Sequence, residues 1–337
     1  MPDTLATTPP DNGILDIPAT EHHALPALSN SGMRDLAVSP LRYWYHHIRP
    51  DREPREETPA MRLGSALHCA VLEPGETFMS RYARALDPSD WPVCLDKMDD
   101  LRAWISSKGH KPSGTRKEQV AEQAAAIMAT LPEHERVPIL LFEERRFAAQ
   151  NEGKTILAPD EWSRVEGMAD ALLREPVLRS ILLAGKPEVS MAATDPETGV
   201  LLKARLDWMG PSLTLDLKTF SAMRGKEFTK AVHDAIYYEG YYRQAWFYSH
   251  VRKLATGEES DFVFAFVESD PPYETRIKFL QPRFGSEQNT YWAMAGMECR
   301  ALIRQYAECL ERFGDKPWRT DSAAEVLTNE DIRQFNY

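Results

Sequence analysis

Over residues 188 to 220 the hydropathy pattern alternates with a period of two, which demands a β-sheet around which the remaining chain must fold. The stretch "EVSMAATDPETGVLLKARLDWMGPSLTLDLKTF" holds three strand-like runs separated by the turns "DPETG" and "MGPS". A strand points successive side chains to opposite faces. Lys203, Arg205 and Asp207 are therefore expected on one face, with Leu202, Ala204, Leu206 and Trp208 on the other. In the next run Leu213, Leu215 and Leu217 are expected to bury while Thr214, Asp216 and Lys218 turn away. Pairing the two runs through "MGPS" then predicts that Asp207, Asp216 and Lys218 converge on one point.

Around this sheet the sequence reads as helices. Ser29 or Ser31 and the pair Ser39-Pro40 offer starts for a short helical pair, and "PAMRLGSALHCAVLEP" spaces its apolar residues as a helix that carries His68 and stops at Pro74. Residues 93 to 135 read as a largely polar helical insertion, "VPILLFEERRFAA" as a strand, and "DEWSRVEGMADALLREPVLRSILL" as an amphipathic helix. Residues 226 to 254 return to helix, "DFVFAFVES" and "YETRIKFL" are expected strands, and 286 to 312 a last long helix. Residues 1 to 20, rich in Pro, Thr and Asp, read as a flexible tail, 21 to 320 as one domain, and 321 to 337 as an extension.

The chain has 337 residues, enough for one large domain or two smaller ones, and no apolar run of membrane-spanning length. No signal-peptide pattern opens it, so the cytoplasm is the expected compartment. Cys69, Cys94, Cys299 and Cys309 form no C-x-x-C pair, which argues against a zinc ribbon, a disulfide framework and an iron-sulfur cluster. A net charge of −11 excludes a protein that coats nucleic acid indiscriminately, though a local basic channel remains compatible with it.

Two carboxylates held close repel each other unless one takes a proton or a cation sits between them. Hard oxygen ligands suit magnesium, with manganese as a second choice. A lysine two residues after such a ligand can hold an attacking water while the metal stabilises charge on phosphate oxygens. A lone D-x-K is commonplace on a solvated sheet face, so two further features matter. Gln244 and Tyr248 stand four apart on one helix face, with Tyr241 a turn earlier, whereas Tyr237, Trp246 and Phe247 read as packing residues. "GSALH" places a glycine and then His68 on an earlier helix.

The order "GSALH", a Glu before a hairpin, "ARLDW", "DLKT" and "QAWFY" resembles the PD-(D/E)xK nuclease superfamily in its RecB-like branch. More narrowly, "YWYHHI" with "LGSALHCAVLEP" and "TGVLLKARLDWM" with "LTLDLKT" look like the RecE-type exonucleases of phage and prophage recombination systems, which include exodeoxyribonuclease VIII. The resemblance implies an α/β fold, a mixed central sheet flanked by helices. By the same resemblance His68 is a metal ligand or its support, Asp207 and Asp216 are metal ligands, the Leu217 carbonyl is a further one, and Lys218 is the catalytic lysine. Gln244 and Tyr248 match the last motif and Glu188 an acidic position; Leu206 stands where the superfamily name has proline.

The implied activity is a magnesium-dependent exodeoxyribonuclease acting on ends of double-stranded DNA, with 5′ to 3′ polarity and a 3′ single-stranded tail. The implied assembly is a ring-shaped homo-oligomer, partnered by a single-strand annealing protein. A Cas4-like or endonucleolytic relative, and a catalytically retired DNA-end-binding scaffold, are the alternatives. Between Leu201 and Lys230 six basic side chains face three acidic ones, which makes Arg205, Arg224, Lys226 and Lys230, with Tyr241, the candidate DNA contacts. "KGHKPSGTRKEQ" in the insertion also resembles SAP-type DNA-binding motifs.

Overall fold

The computed structural model describes residues 12–319 apart from 54–55, 92, 222–226 and 285–286. Arg224, Lys226 and the 321–337 extension lie outside the described residues. The chain divides into two compact units, Met1–Thr58 with Ala171–Tyr337, and Pro59–Asp170, where the sequence suggests one domain over 21–320.

The first unit is built on a six-stranded sheet. Its strands, in spatial as well as chain order, are β1 (Gly13–Leu15), β2 (Lys186–Thr194), β3 (Leu201–Met209), β4 (Leu213–Phe220), β5 (Asp261–Glu268) and β6 (Thr275–Leu280). Neighbours are antiparallel except β4 and β5, which run parallel. Helix α1 (Asn30–Val38) follows β1 in the chain; a parallel pair needs a long crossover, and the one between β4 and β5 contains two helices, α2 (Phe228–Tyr238) and α3 (Tyr241–Thr256). They are two rather than one because Gly240 adopts φ +71, a left-handed conformation that ends helical pairing. A final helix, α4 (Thr290–Phe313), matches the expected one.

β5 is buried on both faces: Phe262, Phe264 and Phe266 alternate with Val263, Ala265 and Val267, and all six are 0% exposed. The three phenylalanines share one core with Leu202, Ala204 and Leu206 of β3 and with Ala245 and Phe247 of α3. The charged face of the hairpin is covered as well as the apolar one. Asp216, Thr214 and Lys203 are all buried, because α3 and the N-terminal segment cover what an isolated hairpin would leave open. Lys203 donates to the carbonyls of His22, His23 and Leu25 at 2.8–3.0 Å. The expected N-terminal tail is corrected in part, since Gly13–Leu15 adds to the sheet edge opposite Ser190–Ala192. Three residues carry too little periodicity to reveal a strand whose pairing is decided entirely by its neighbour.

Within the second unit the insertion is helical as expected. Helices Met98–Ser107 and Lys117–Met128 enclose a small core of Leu101, Ile105, Val120, Ala121 and Ala124, closed by Leu95 and Ile139. "VPILLFEERRFAA" is largely a helix, Leu140–Gln150, rather than a strand. Its apolar run is short, and after Ile139 it continues with strong helix formers whose Glu143 and Arg146 pair at i, i+3. Among the described residues no helix is long and apolar enough to cross a membrane.

One side chain joins the crossover to the hairpin. Arg252 of α3 is 0% exposed and donates to the carbonyls of Leu213, Gly210 and Pro211 and to Thr214 Oγ1, at 2.8–3.2 Å. These acceptors belong to the β3–β4 turn, so the guanidinium sets the position of α3 along the hairpin. Arg252→Ala strips several buried carbonyls of their donor at once and is expected to cost about 3 kcal/mol or more. Urea denaturation should show the loss as a lower midpoint. Arg252→Lys should recover only part of it, since an ammonium cannot span the same fork of acceptors.

Candidate metal and phosphodiester site

β2 and β3 pair regularly from Thr194↔Leu201 to Val189↔Leu206 and resume at Pro187↔Trp208, leaving Glu188 and Asp207 opposite one another at the interruption. Glu188 takes φ +54, a left-handed backbone unusual for a non-glycine residue, at the point where the ladder is interrupted. A carboxylate oxygen of Glu188 and one of Asp207 lie within 4.8 Å of each other, both residues being half-buried. Arg205 partly offsets that repulsion: its Nε donates to Glu188 Oε2 at 2.8 Å and its Nη1 to Ser190 Oγ at 2.7 Å.

The next strand parts company with β3 at this place. β3 and β4 pair only through Trp208↔Leu215 and Met209↔Thr214, while β4 stays paired with β5 along its whole length. Asp207 fills the opening, its Oδ2 accepting the backbone N–H of Leu217 at 2.8 Å. The N–H and C=O of one strand residue point to the same edge, so the Leu217 carbonyl also faces the opening.

Asp216 is 1% exposed. Its Oδ1 accepts from Gln244 Nε2 at 2.6 Å, and its Oδ2 lies 2.5 Å from Lys218 Nζ. That Oδ2 is buried, with the Lys218 ammonium as its partner. Burial alone would favour loss of the Lys218 proton, but the charges of Asp216 and Asp207 outweigh it and hold the ammonium above its ordinary range. Lys218 is thus a cation and a donor in this arrangement, and its Nζ sits 5.0 Å from the centre of the Tyr241 ring. Burial, reinforced by the charges of Asp216, Asp207 and Glu188, also raises the Tyr248 phenol, against which a hydrogen bond from Gln244 works.

Glu188, Asp207, Asp216, Leu217, Lys218, Tyr241, Gln244 and Tyr248 therefore gather where β3 and β4 diverge, under the first turns of α3. Lys230 does not join them; it pairs with Asp234 on α2 at 3.2 Å. Arg205, expected to meet phosphate, is bonded instead to Glu188 and Ser190. His68 lies on the helix Pro59–Leu72 of the second unit. Sequence reasoning missed the Arg205–Glu188 pair, which only the cross-strand register creates. Burial raises the Tyr241 phenol, against which the charges of Lys218 and of Arg34, an exposed residue of the helix Asn30–Val38, work.

Three carboxylates, Glu188, Asp207 and Asp216, stand against two cations, Arg205 and Lys218. One negative charge is left over in a partly buried place. Paired carboxylate oxygens, a carbonyl at the same opening and a third, buried carboxylate beside them are the donor chemistry of a hard divalent ion, so these residues fit magnesium or manganese.

A family model described as a PDDEXK-like domain of unknown function (DUF3799) matches residues 29–321. Among solved structures, a Eubacterium rectale protein named as a candidate exonuclease is similar, with 14% identity, 94% of this chain and 98% of that chain covered, and a TM-score of 0.49. The protein SSO0001 is similar over 49% of this chain and 69% of its own, with 13% identity and a TM-score of 0.25. No curated protein matches the sequence.

Because the Glu188 and Asp207 carboxylates repel each other, a substitution at Asp207 reads that repulsion: Asp207→Asn keeps an acceptor for the Leu217 N–H while removing a charge. It is expected to raise stability in EDTA by about 1 kcal/mol. Magnesium should raise the melting temperature of the native protein and have much less effect on this variant, as thermal denaturation with and without the ion will read.

Proposed function

Because the chain belongs to the PDDEXK-like family DUF3799, matched over most of its length, we propose that it is a metal-dependent nuclease, and specifically an exodeoxyribonuclease that degrades linear double-stranded DNA from its ends. The observation that best supports this is the convergence of Glu188, Asp207, Asp216, Lys218 and Gln244 at one opening between strands. The resemblance of the motif series to RecE-type enzymes adds the finer proposal: 5′ to 3′ digestion, a 3′ single-stranded tail for recombination, a ring-shaped homo-oligomer, and a single-strand annealing protein as partner.

Asp207, Glu188 and the Leu217 carbonyl would hold magnesium, with Asp216 through its buried oxygen. His68 is proposed as a further ligand or its support from its motif station alone. When bound, the ion supplies charge stabilisation at phosphate oxygens and a more acidic water. The remaining work belongs to the side chains. Lys218, kept protonated by its two carboxylate neighbours, donates to the attacking water or to a phosphate oxygen as negative charge grows there. Asp216 holds that ammonium in place, Gln244 orients Asp216, and Tyr248 buttresses Gln244 from the interior. Arg205 keeps Glu188 aimed along the strand, while Arg34, Lys230, Arg224 and Lys226 are the proposed phosphate contacts.

End-labelled linear duplex incubated with magnesium, followed by sizing of the products, tests the reading. Mononucleotide release from linear DNA with closed circular duplex left intact is the expected outcome; nicking of the circle would make the enzyme an endonuclease instead. Lys218→Ala should lower cleavage by at least about a hundredfold while DNA binding persists. A wild-type protein that binds ends and cuts nothing in any divalent metal would be a retired scaffold.

A further inference from the structure

The turn around Gly240 is crowded with tyrosines, and not all of them pack inward. Tyr241 turns to Lys218, and Tyr242 is buried, its hydroxyl donating to Glu298 Oε2 at 2.7 Å. Tyr237 and Tyr238, at the end of α2, are 46% and 76% exposed, and Tyr291, at the start of α4, is 43% exposed. The expectation that Tyr237 is a packing residue is thereby corrected, because the break at Gly240 leaves the last turn of α2 uncovered on one side.

These rings form a connected series. Tyr237 lies parallel to Tyr242, with centroids 5.9 Å apart and planes 14° apart. Tyr238 stands edge-on to Tyr237 at 5.1 Å, and Tyr291 meets Tyr242 at 6.3 Å with its plane tilted by 54°. Arg243 reaches over Tyr242 at 5.6 Å. Tyr242 is thus an immobilised base plate that fixes Tyr237 and Tyr291 while leaving their outer surfaces in water. Rings held in place beforehand lose little freedom when a ligand stacks on them.

We infer that Tyr237, Tyr238 and Tyr291 form a stacking surface for the unpaired bases of a single DNA strand beside the proposed cleavage site. Three physical points favour this occupant. Bases inside a duplex already spend their faces on each other, so exposed aromatic rings select unpaired nucleotides. Tyrosine is tolerant of base identity, as an enzyme working along arbitrary sequence requires. The series also starts one residue from the site, because Tyr241, beside Lys218, directly precedes Tyr242, under Tyr237, on the same helix. The inference rests on the nuclease reading for the origin of the strand, since digestion of one strand of a duplex leaves the other unpaired at the site.

The experiment measures binding of labelled oligo(dT) and of blunt duplex to the full-length protein in EDTA, where no cleavage can occur, and separately measures cleavage in magnesium. Tyr238→Ala and Tyr291→Ala should each weaken oligo(dT) binding by about tenfold and together by more, while duplex binding changes less than twofold. Tyr238→Phe should bind like the native protein, because the ring and not the hydroxyl does the stacking. Unchanged oligo(dT) affinity in the double variant overturns the inference. So does conversion of a native oligomer to a monomer by the same substitutions, which would make the patch a contact between copies. The two readings fail separately: native cleavage with unaltered strand binding in the variants sinks only the tyrosine surface, and intact tyrosine-dependent binding without any cleavage sinks only the nuclease.

Discussion

The buried guanidinium of Arg252 is the interaction on which the rest of the first unit depends. A single side chain takes up the carbonyls of the β3–β4 turn, and it does so from a helix that the chain reaches only after β4 has ended. Desolvation lowers the guanidinium's affinity for its proton, yet arginine remains charged, so the cation must be met by several oxygens. That requirement locks α3 to the turn. Gln244 stands eight residues earlier on the same helix, about 12 Å along its axis, and the lock is what brings it within 2.6 Å of Asp216.

The site that results is electrostatically uneasy. Two carboxylates face each other across β2 and β3, a third is almost completely buried, and a left-handed backbone at Glu188 departs from regular strand geometry. Each feature costs stability, and fold requirements alone explain none of them. Strain and like-charge proximity are gathered at one opening in the sheet, the opening at which the metal site is proposed. Lys218 shows the same logic from the positive side, since its ammonium is retained in a buried position only because two carboxylates surround it.

Much of the local structure could be read from residue order. The three strands between Lys186 and Phe220 fell where period-two alternation and the turns "DPETG" and "MGPS" placed them, and β5 and β6 did likewise. Motif residues could be named because their spacing is local: Asp216 and Lys218 two apart on a strand, Gln244 and Tyr248 four apart on a helix. The segment after Val137 misled because a brief apolar run fits either element, and helix-forming residues after it settled the matter. The β1 strand escaped notice because three residues carry no period.

What the sequence by itself determined, then, is which side chains exist at strand and helix spacing, and hence the chemical kind of site the chain can build. The tertiary structure alone decided how those side chains face one another. Ladder pairing between β3 and β4 stops after two residue pairs, so Asp207 turns into the gap toward Leu217 instead of out to solvent. Arg205 is drawn to Glu188, which lies 17 residues away in the chain and becomes its neighbour only through cross-strand register. Tyr237 and Tyr238 are left exposed by a helix break, while Trp246 and Phe247 a few residues on are buried. Sequence patterns encode periodicity within one element; burial and proximity depend on which other element covers it, and that is set by long-range packing.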